Sequence, residues 1–296
     1  MTDHTPTPSP PQTALLLLND RSRRGAAMAD EARQLIAASG IDAIAPSPGQ
    51  SFAEAIAAHG PGVDCIIVGG GDGTLNGCVD AVARAERPMG VLPLGTANDF
   101  ARSMGIPAAL PAAVACIAQG RSLPVDLGLA NGLAYLNVAS VGLSAELAAS
   151  LTAENKKRWG TLGYAITAAR LLAGSKVFSA AIEHDGQTER FRTFQVSVGN
   201  GRFYGGGMTV HQDASPMDGM LDVYSLELNH WWKLLGLLPA LRRGTHGQWK
   251  EVRAFSSKAL TLTTRSPLPV NLDGELRTQT PVRFAIREKA LRVFVP

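Results

Sequence analysis

Residues 66–76 read IIVGGGDGTLN, an apolar run that leads into three successive glycines and then into a helical pattern. Glycines let backbone N–H groups approach phosphate oxygens closely, and the N-terminus of a helix adds partial positive charge. The stretch is not a Walker A loop, because no Gly-Lys-Ser/Thr occurs, and Thr74 stands where GxGxxG needs its last glycine. It predicts a strand, a phosphate-binding turn and a helix, with a tight turn that binds nothing as the alternative.

A second unit of the same kind follows about 20 residues later, in VLPLGTANDF at residues 91–100. Its strand ends in Gly95-Thr96, and Asn98 and Asp99 can cap the next helix. The loops at the ends of successive parallel strands meet at one edge of a sheet, where open α/β folds bind their ligands. The pair therefore favours a ligand site over two unrelated turns.

Around these two units, short apolar runs alternate with helical patterns, which predicts a doubly wound parallel α/β domain. Beyond residue 125, period-2 segments predict a mainly β domain, interrupted by helical patterns at residues 159–172 and 230–241. We divide the chain into a disordered tail (residues 1–12), an α/β domain (13–127) and a mainly β domain (128–296). For the last strand of the chain, a return to pack on the first domain is the alternative.

Composition narrows the class of protein. Hydrophobic residues make up 45% and charged residues 18%, as in folded proteins, and a net charge of +3 is too small for a dedicated nucleic-acid binder. Three cysteines and six histidines stand at no metal-ligand spacing, which argues against a zinc enzyme. The chain has no secretory signal and no apolar run long enough to span a bilayer, so we expect a cytoplasmic protein with peripheral membrane contact at most.

Two carboxylates, Asp273 and Glu275, stand two residues apart in NLDGE, residues 271–275. If this segment is extended, they share a face. Paired carboxylates raise one another's proton affinity, which suits a general base. A solvated Asp-Gly turn is the alternative.

Five motifs in order resemble the diacylglycerol kinase catalytic family, in particular its soluble bacterial lipid kinases of the YegS type. They are GGGDGTLN (69–76), PLGTANDFAR (93–102), VGNGRFYGGGM (198–208), DGMLDVY (218–224) and NLDGE (271–275). The resemblance implies an α/β domain similar to phosphofructokinase and NAD kinase that holds ATP. It also implies a β-sandwich domain that receives a lipid.

The resemblance assigns nucleotide contacts to one loop after the first strand and to both glycine turns. The residues are Asn19, Gly71, Asp72, Gly73, Thr74, Leu75, Asn76, Gly77 and Thr96. Gly77 departs from the family, which usually has glutamate after this asparagine. The loss removes a carboxylate and weakens the start of the helix by about 1 kcal/mol.

The remaining assignments concern metal binding and catalysis. Asp218 matches a Mg²⁺ ligand, with backbone carbonyls supplied by Ser215 and Met220. Glu275 matches the carboxylate that accepts the proton of the lipid hydroxyl, with Asp273 as its partner.

Taken together, the motifs predict an ATP-dependent lipid kinase that phosphorylates a hydroxyl of diacylglycerol, phosphatidylglycerol or a sphingoid lipid. A catalytically silent lipid-binding homologue and an NAD kinase are the alternatives. We expect a lipid substrate and a peripheral membrane surface as partners and no nucleic acid, and a homodimer is left open. HWWKLLGLLPALRR, residues 230–243, suits the membrane interface, with a core helix as the alternative.

Overall fold

The computed structural model describes residues 10–19, 23–145, 176–228, 230 and 232–296. The chain divides into a first unit, Met1–Asp126 with Glu288–Pro296, and a second unit, Leu127–Arg287. The helix predicted at residues 159–172, most of the predicted tail and residues 20–22 of the loop after the first strand lie outside the described residues. So does Trp231.

The first unit is a parallel sheet with helices between its strands, as predicted. Its strands are β1 (Thr13–Leu18), β2 (Asp42–Ile44), β3 (Cys65–Gly70) and β4 (Met89–Pro93), in the order β2-β1-β3-β4. The end of β18 (Val282–Phe294) lies parallel to β4, with Val293 opposite Met89. The helices are α1 (Arg23–Ala38), α2 (Phe52–His59), α3 (Asp72–Ala85), α4 (Asp99–Ser103) and α5 (Leu110–Gln119).

The parallel strands form because their sequences are apolar throughout. Every residue of β3 is buried, and Leu15 and Leu17 of β1 have no exposed surface. Strands covered by helices on both faces show this continuous pattern. Helix α5 was not predicted, although Pro111 in its first turn and Gly120 at its end, with φ of 74°, are ordinary helix signals.

The second unit consists mainly of antiparallel strands. They begin with β5 (Ser122–Ala130), which starts in the first unit and enters the second at Leu127. The others are β6 (Leu133–Tyr135), β7 (Val138–Gly142), β8 (Phe178–His184), β9 (Gln187–Thr193), β10 (Gln195–Gly199), β11 (Phe203–Tyr204), β12 (Met208–Thr209), β13 (Leu221–Leu226), β14 (Val252–Ser257), β15 (Ala259–Thr264), β16 (Pro269–Leu272) and β17 (Glu275–Gln279). One sheet has the order β14-β13-β10-β7-β16-β17, and another layer has β18-β15-β8-β9. Buried side chains from both layers, such as Val141, Val223, Leu262 and Phe284, form one core. The α/β plus mainly β fold class is confirmed.

Three period-2 segments of the sequence, at residues 189–198, 282–286 and 291–295, predict one strand each, and the structure divides them differently. The continuous pattern at residues 189–198 is two strands, because the chain passes from β9 to β10 in the other sheet. At this break the Thr193 hydroxyl supplies hydrogen bonds to the backbone: it accepts from Gln195 N at 3.1 Å and donates to Leu226 O at 2.9 Å. Conversely, the runs predicted at residues 282–286 and 291–295 belong to the single strand β18.

The helix predicted at residues 230–241 begins later, as α6 (Lys233–Arg243). Leu234, Leu237 and Leu241 are buried in a core cluster with Tyr224 and other side chains of the second unit. Trp232 and Leu238 remain exposed, at 56% and 44%. The core interpretation therefore holds for three leucines. No helix within the described ranges is long and apolar enough to cross a membrane.

Candidate functional site

The two glycine turns of the first unit contact each other through their backbones. They follow β3 and β4, which pair in parallel with Gly70 opposite Pro93. A β-carbon on Gly95 would lie 2.4 Å from Gly71 Cα, and one on Gly71 would lie 3.2 Å from Gly95 Cα. No side chain fits between them. The predicted convergence of the two loops is present, and glycine is required at Gly95.

Asp72 joins the two turns. As the first residue of α3, it accepts hydrogen bonds from the backbone N–H groups of Asp99, at 3.1 Å, and Phe100, at 2.9 Å. A carboxylate at the N-terminus of a helix satisfies donors that have no partner within the helix. Asp72 therefore positions α4 against α3, a role that the sequence did not reveal.

The end of β1 meets the first turn of α3. Asn19 Nδ2 donates to Thr74 Oγ1 at 2.8 Å, and Asn19 N donates to Gly69 O at 2.9 Å. The structure thus brings together two of the residues assigned to nucleotide contact.

The other residues of this stretch differ in accessibility. Gly73, Gly77 and Thr96 are exposed, and a β-carbon on Gly73 or Gly77 would meet no heavy atom within 4 Å. Leu75 is 1% exposed and contributes its side chain to the core. The turn therefore has a packed inner side and an open outer side.

Asn76 is the notable buried polar group of α3. Its side chain is in the second turn of the helix, the residue is 4% exposed, and neither amide atom has a hydrogen-bond partner among the described residues. A buried polar group left unsatisfied costs about 1–3 kcal/mol. A ligand or water at this end of the sheet would relieve that cost, which fits a nucleotide site.

In the second unit, Asp273 is held by backbone donors. Its carboxylate accepts from the N–H groups of Leu136 at 2.7 Å, Asn137 at 3.0 Å and Val138 at 2.9 Å. It thereby ties the hairpin turn between β16 and β17 to the connection between β6 and β7. Burial, and secondarily the Asp273 charge, raises the pKa of Tyr135 well above its usual range.

Glu275 has a different environment. It is the first residue of β17, its side chain is 52% exposed, and it lies 3.6 Å from the Arg277 guanidinium. Asp273 and Gly274 form the turn, with φ of 48° and 100°. The segment is not extended at this point, so the shared face expected for an extended strand does not arise. Asp273 holds the turn, and Glu275 leaves it toward solvent.

Asp218 lies in the exposed loop before β13. Its Oδ1 accepts from Met220 N at 2.9 Å, and Ser215 precedes it by three positions in the same loop. Within the described ranges, no three His, Cys, Asp or Glu side chains form a metal-binding group. Mg²⁺ needs only one or two carboxylates beside carbonyls and waters, so this oxygen donor set suits it chemically.

A row of polar side chains crosses one sheet of the second unit, buried at Tyr224, Ser197 and Ser140, and it was not predicted from the sequence. Tyr224, Ser197, Ser140 and Asn271 are successive neighbours across β13, β10, β7 and β16. Asn271 Nδ2 donates to Ser140 Oγ at 3.3 Å, whereas its Oδ1 has no partner among the described residues. The signal was a polar residue within each of several otherwise apolar strands, which becomes a row only once the register is known.

Comparison with known proteins agrees with this architecture. Residues 13–130 match the diacylglycerol kinase catalytic domain, and residues 137–295 match the YegS C-terminal NAD kinase beta sandwich-like domain. A Pseudomonas aeruginosa protein named "Probable lipid kinase YegS-like" is 36% identical over 249 residues, which cover 82% of this chain and 79% of the relative. A Staphylococcus aureus diacylglycerol kinase is 30% identical over 250 residues, 84% of this chain and 79% of the relative.

Solved structures show the same fold. The crystal structure of a diacylglycerol kinase from Bacillus anthracis str. Sterne superposes with a TM-score of 0.79 at 24% identity, covering 97% of this chain and 98% of that one. Fold and motifs define the class of lipid kinases, phosphotransferases with an alcohol group as acceptor. The chain belongs to the diacylglycerol kinase catalytic-domain family, with a C-terminal domain of the YegS type.

Proposed function

We propose that this protein is an ATP-dependent lipid kinase that transfers the γ-phosphoryl group of ATP to a hydroxyl of a lipid such as diacylglycerol, phosphatidylglycerol or a sphingoid lipid. The observation that carries the proposal is the backbone contact between Gly71 and Gly95, which no side chain can enter. Phosphoryl transfer depends mostly on positioning and charge neutralisation, so a rigid turn at a helix N-terminus is the feature that it requires.

The nucleotide-binding proposal rests on the open side of this turn. Gly73 and Thr96 are exposed there, and the bond between Asn19 and Thr74 fixes the neighbouring loop. The N-terminus of α3 favours the negative phosphates electrostatically. Asp72 keeps the second turn in place through its bonds to α4.

For catalysis, we assign Glu275 as the general base. It accepts the proton of the lipid hydroxyl as that oxygen attacks the γ-phosphorus and the bond to the β-phosphate oxygen breaks. The half-exposed carboxylate is accessible to a substrate. Asp273 is a positioning residue: its three hydrogen bonds from backbone N–H groups hold the hairpin turn in place.

Mg²⁺ binding is assigned to the Asp218 carboxylate with the carbonyls of Ser215 and Met220. When bound, the metal neutralises charge on the phosphates. Gly77 leaves open space where the family usually has glutamate, because no heavy atom lies within 4 Å of its β-carbon position. We therefore propose an active enzyme whose metal or nucleotide preference differs from that of its relatives.

The proposal is tested by incubating the pure protein with γ-labelled ATP, Mg²⁺ and separate acceptors: diacylglycerol, phosphatidylglycerol, sphingosine, ceramide and NAD. Label in one lipid that disappears in Glu275→Gln supports it. Label in NAD instead identifies an NAD kinase. Bound ATP without label in any acceptor identifies a catalytically silent homologue.

A further inference from the structure

The second unit carries a basic groove on its outer surface, which we call the arginine groove. It has a volume of about 470 Å³ and is formed by β8, β9 and the end of β15. Arg190, Arg192 and Arg265 supply its charge, and small side chains, among them Ser179, Ala181 and Thr263, form its floor. All three arginines are exposed.

The strand register places the arginines on one face. Arg190 pairs with Ala181 and Arg192 with Ser179, while Phe191 between them is 9% exposed and packs into the core. On the opposite side of β8 from β9, Thr264 of β15 pairs with Ala180, and Arg265 is the next residue along the chain. Because neighbouring strands lie about 4.8 Å apart, Arg192 on β9 and Arg265 just after β15 lie on opposite sides of β8, roughly 10 Å apart.

The charge of this face is not neutralised locally. None of the three arginines forms an ion pair within the described part of the chain, where the short carboxylate contacts of this unit involve other residues such as Arg253 and Lys233. By register, Glu183 is the carboxylate that shares the outer face of β8 with Ser179 and Ala181. Arg283, opposite Thr261, extends the positive face along β18.

We infer that the arginine groove binds the phosphate groups of an anionic lipid surface. Guanidinium groups bind phosphate oxygens through two parallel hydrogen bonds, and several arginines on an open, shallow face can engage several headgroups at once. The inference rests on the proposed function, since the acceptor of a lipid kinase lies in a membrane. It is independent of residues 230–243 and of the phosphate-binding turn.

Other polyanions fit this face less well. A single-stranded nucleic acid needs exposed aromatic rings for base stacking, and the aromatic residue of the groove, Phe191, faces the core. A second copy of the chain could pair with β9, which lies at the edge of its sheet, but it would bring the same positive face with it. Charge complementarity therefore favours an anionic lipid surface.

The test uses full-length protein in sedimentation with vesicles of phosphatidylcholine alone or mixed with phosphatidylglycerol. The variant is Arg190→Gln with Arg192→Gln and Arg265→Gln. Its control is Arg33→Gln with Arg84→Gln and Lys250→Gln, exposed residues elsewhere that lower the net charge equally. At about fivefold for each basic residue near an anionic surface, the groove variant should bind the mixed vesicles about 100-fold more weakly, and the control should change by only a few-fold.

Two further measurements separate this inference from the proposed function. Kinase activity on diacylglycerol dispersed in neutral detergent should be unchanged in the groove variant, whereas failure of the kinase proposal would show as no activity in the parent. Replacing the three arginines by lysine keeps the positive charge, so it should weaken vesicle binding much less than the glutamine variant does. Equal binding by the groove variant and its control would overturn the inference, as would a groove variant that binds lipid normally but changes its oligomeric state or loses affinity for RNA.

Discussion

Gly95 and Gly71 lie so close that a β-carbon on Gly95 would approach the Cα of Gly71 to 2.4 Å. Neither backbone segment can make room for this β-carbon without moving the end of a strand. We therefore expect Gly95→Ala to destabilise the first unit by about 1–3 kcal/mol. We also expect it to abolish ATP binding. Thermal unfolding and ATP titration measure the two effects.

Gly73→Ala is the matched control, because no heavy atom lies within 4 Å of its β-carbon position and Gly73 is in a helix. It should fold at least as stably as the parent. A Gly95→Ala variant as stable as Gly73→Ala would show that the contact between the turns is not required.

Thr96 is expected to contact the nucleotide through its hydroxyl. The residue is exposed, so Thr96→Val should change the melting temperature by no more than a few degrees. Loss of one hydrogen bond should raise the KM for ATP by up to about tenfold. Thr96→Ser keeps the hydroxyl and should restore the parental KM, and an unchanged KM in Thr96→Val would remove this residue from the site.

Substitutions of Asp273 and of Glu275 should have different effects, the first on stability and the second on activity. Asp273→Asn loses a charged acceptor of three backbone N–H bonds, so we expect a destabilisation of about 2–3 kcal/mol. Glu275→Gln should leave stability unchanged and reduce kcat by about 10² to 10⁴. Denaturant unfolding measures the change in stability, and steady-state kinetics measures the change in kcat. Full turnover by Glu275→Gln would exclude Glu275 as the general base.

Asp218→Asn tests the metal assignment. Asparagine can still accept from Met220 N, so the loop and the stability should be preserved. The Mg²⁺ concentration for half-maximal activity should rise by roughly tenfold or more, the size of effect seen even for residues that only support a metal site. An unchanged Mg²⁺ dependence would place the metal elsewhere.

Trp232 and Leu238 test the membrane role of residues 230–243. Both are exposed, so Trp232→Ala with Leu238→Ala should weaken binding to neutral vesicles without lowering the melting temperature. Leu237→Ala, at a fully buried position, should instead cost about 2–5 kcal/mol of stability. Trp249→Ala, an exposed tryptophan outside this segment, is the control, and equal vesicle binding by the double variant and this control would assign α6 to the core alone.

Local patterns were sufficient for the elements around the first glycine turn and for one tight hairpin turn. The apolar run before Gly69 and the glycines after it predicted β3, its turn and α3. An Asp-Gly pair between two period-2 runs is typical of a hairpin turn, and Asp185-Gly186 forms the turn between β8 and β9, with φ of 49° and 74°. These features depend on residues next to one another in sequence.

Roles that depend on distant partners were not predictable. The carboxylate of Asp273 binds backbone groups more than 130 positions earlier, and nothing in those residues marks them as its donors. The role of Thr193 at the change of sheet is also seen only in the structure, where its hydroxyl donates to the carbonyl of Leu226. Likewise, Arg192 and Arg265 become neighbours of one groove through the pairing of β8 with both β9 and β15.

Strand β18 passes from the second unit into the first, where Leu291, Val293 and Phe294 are buried beside β4. During synthesis, the sheet of the first unit therefore stays incomplete until the chain of the second unit has emerged from the ribosome. A premature stop codon within the second unit also removes the strand that the first unit needs.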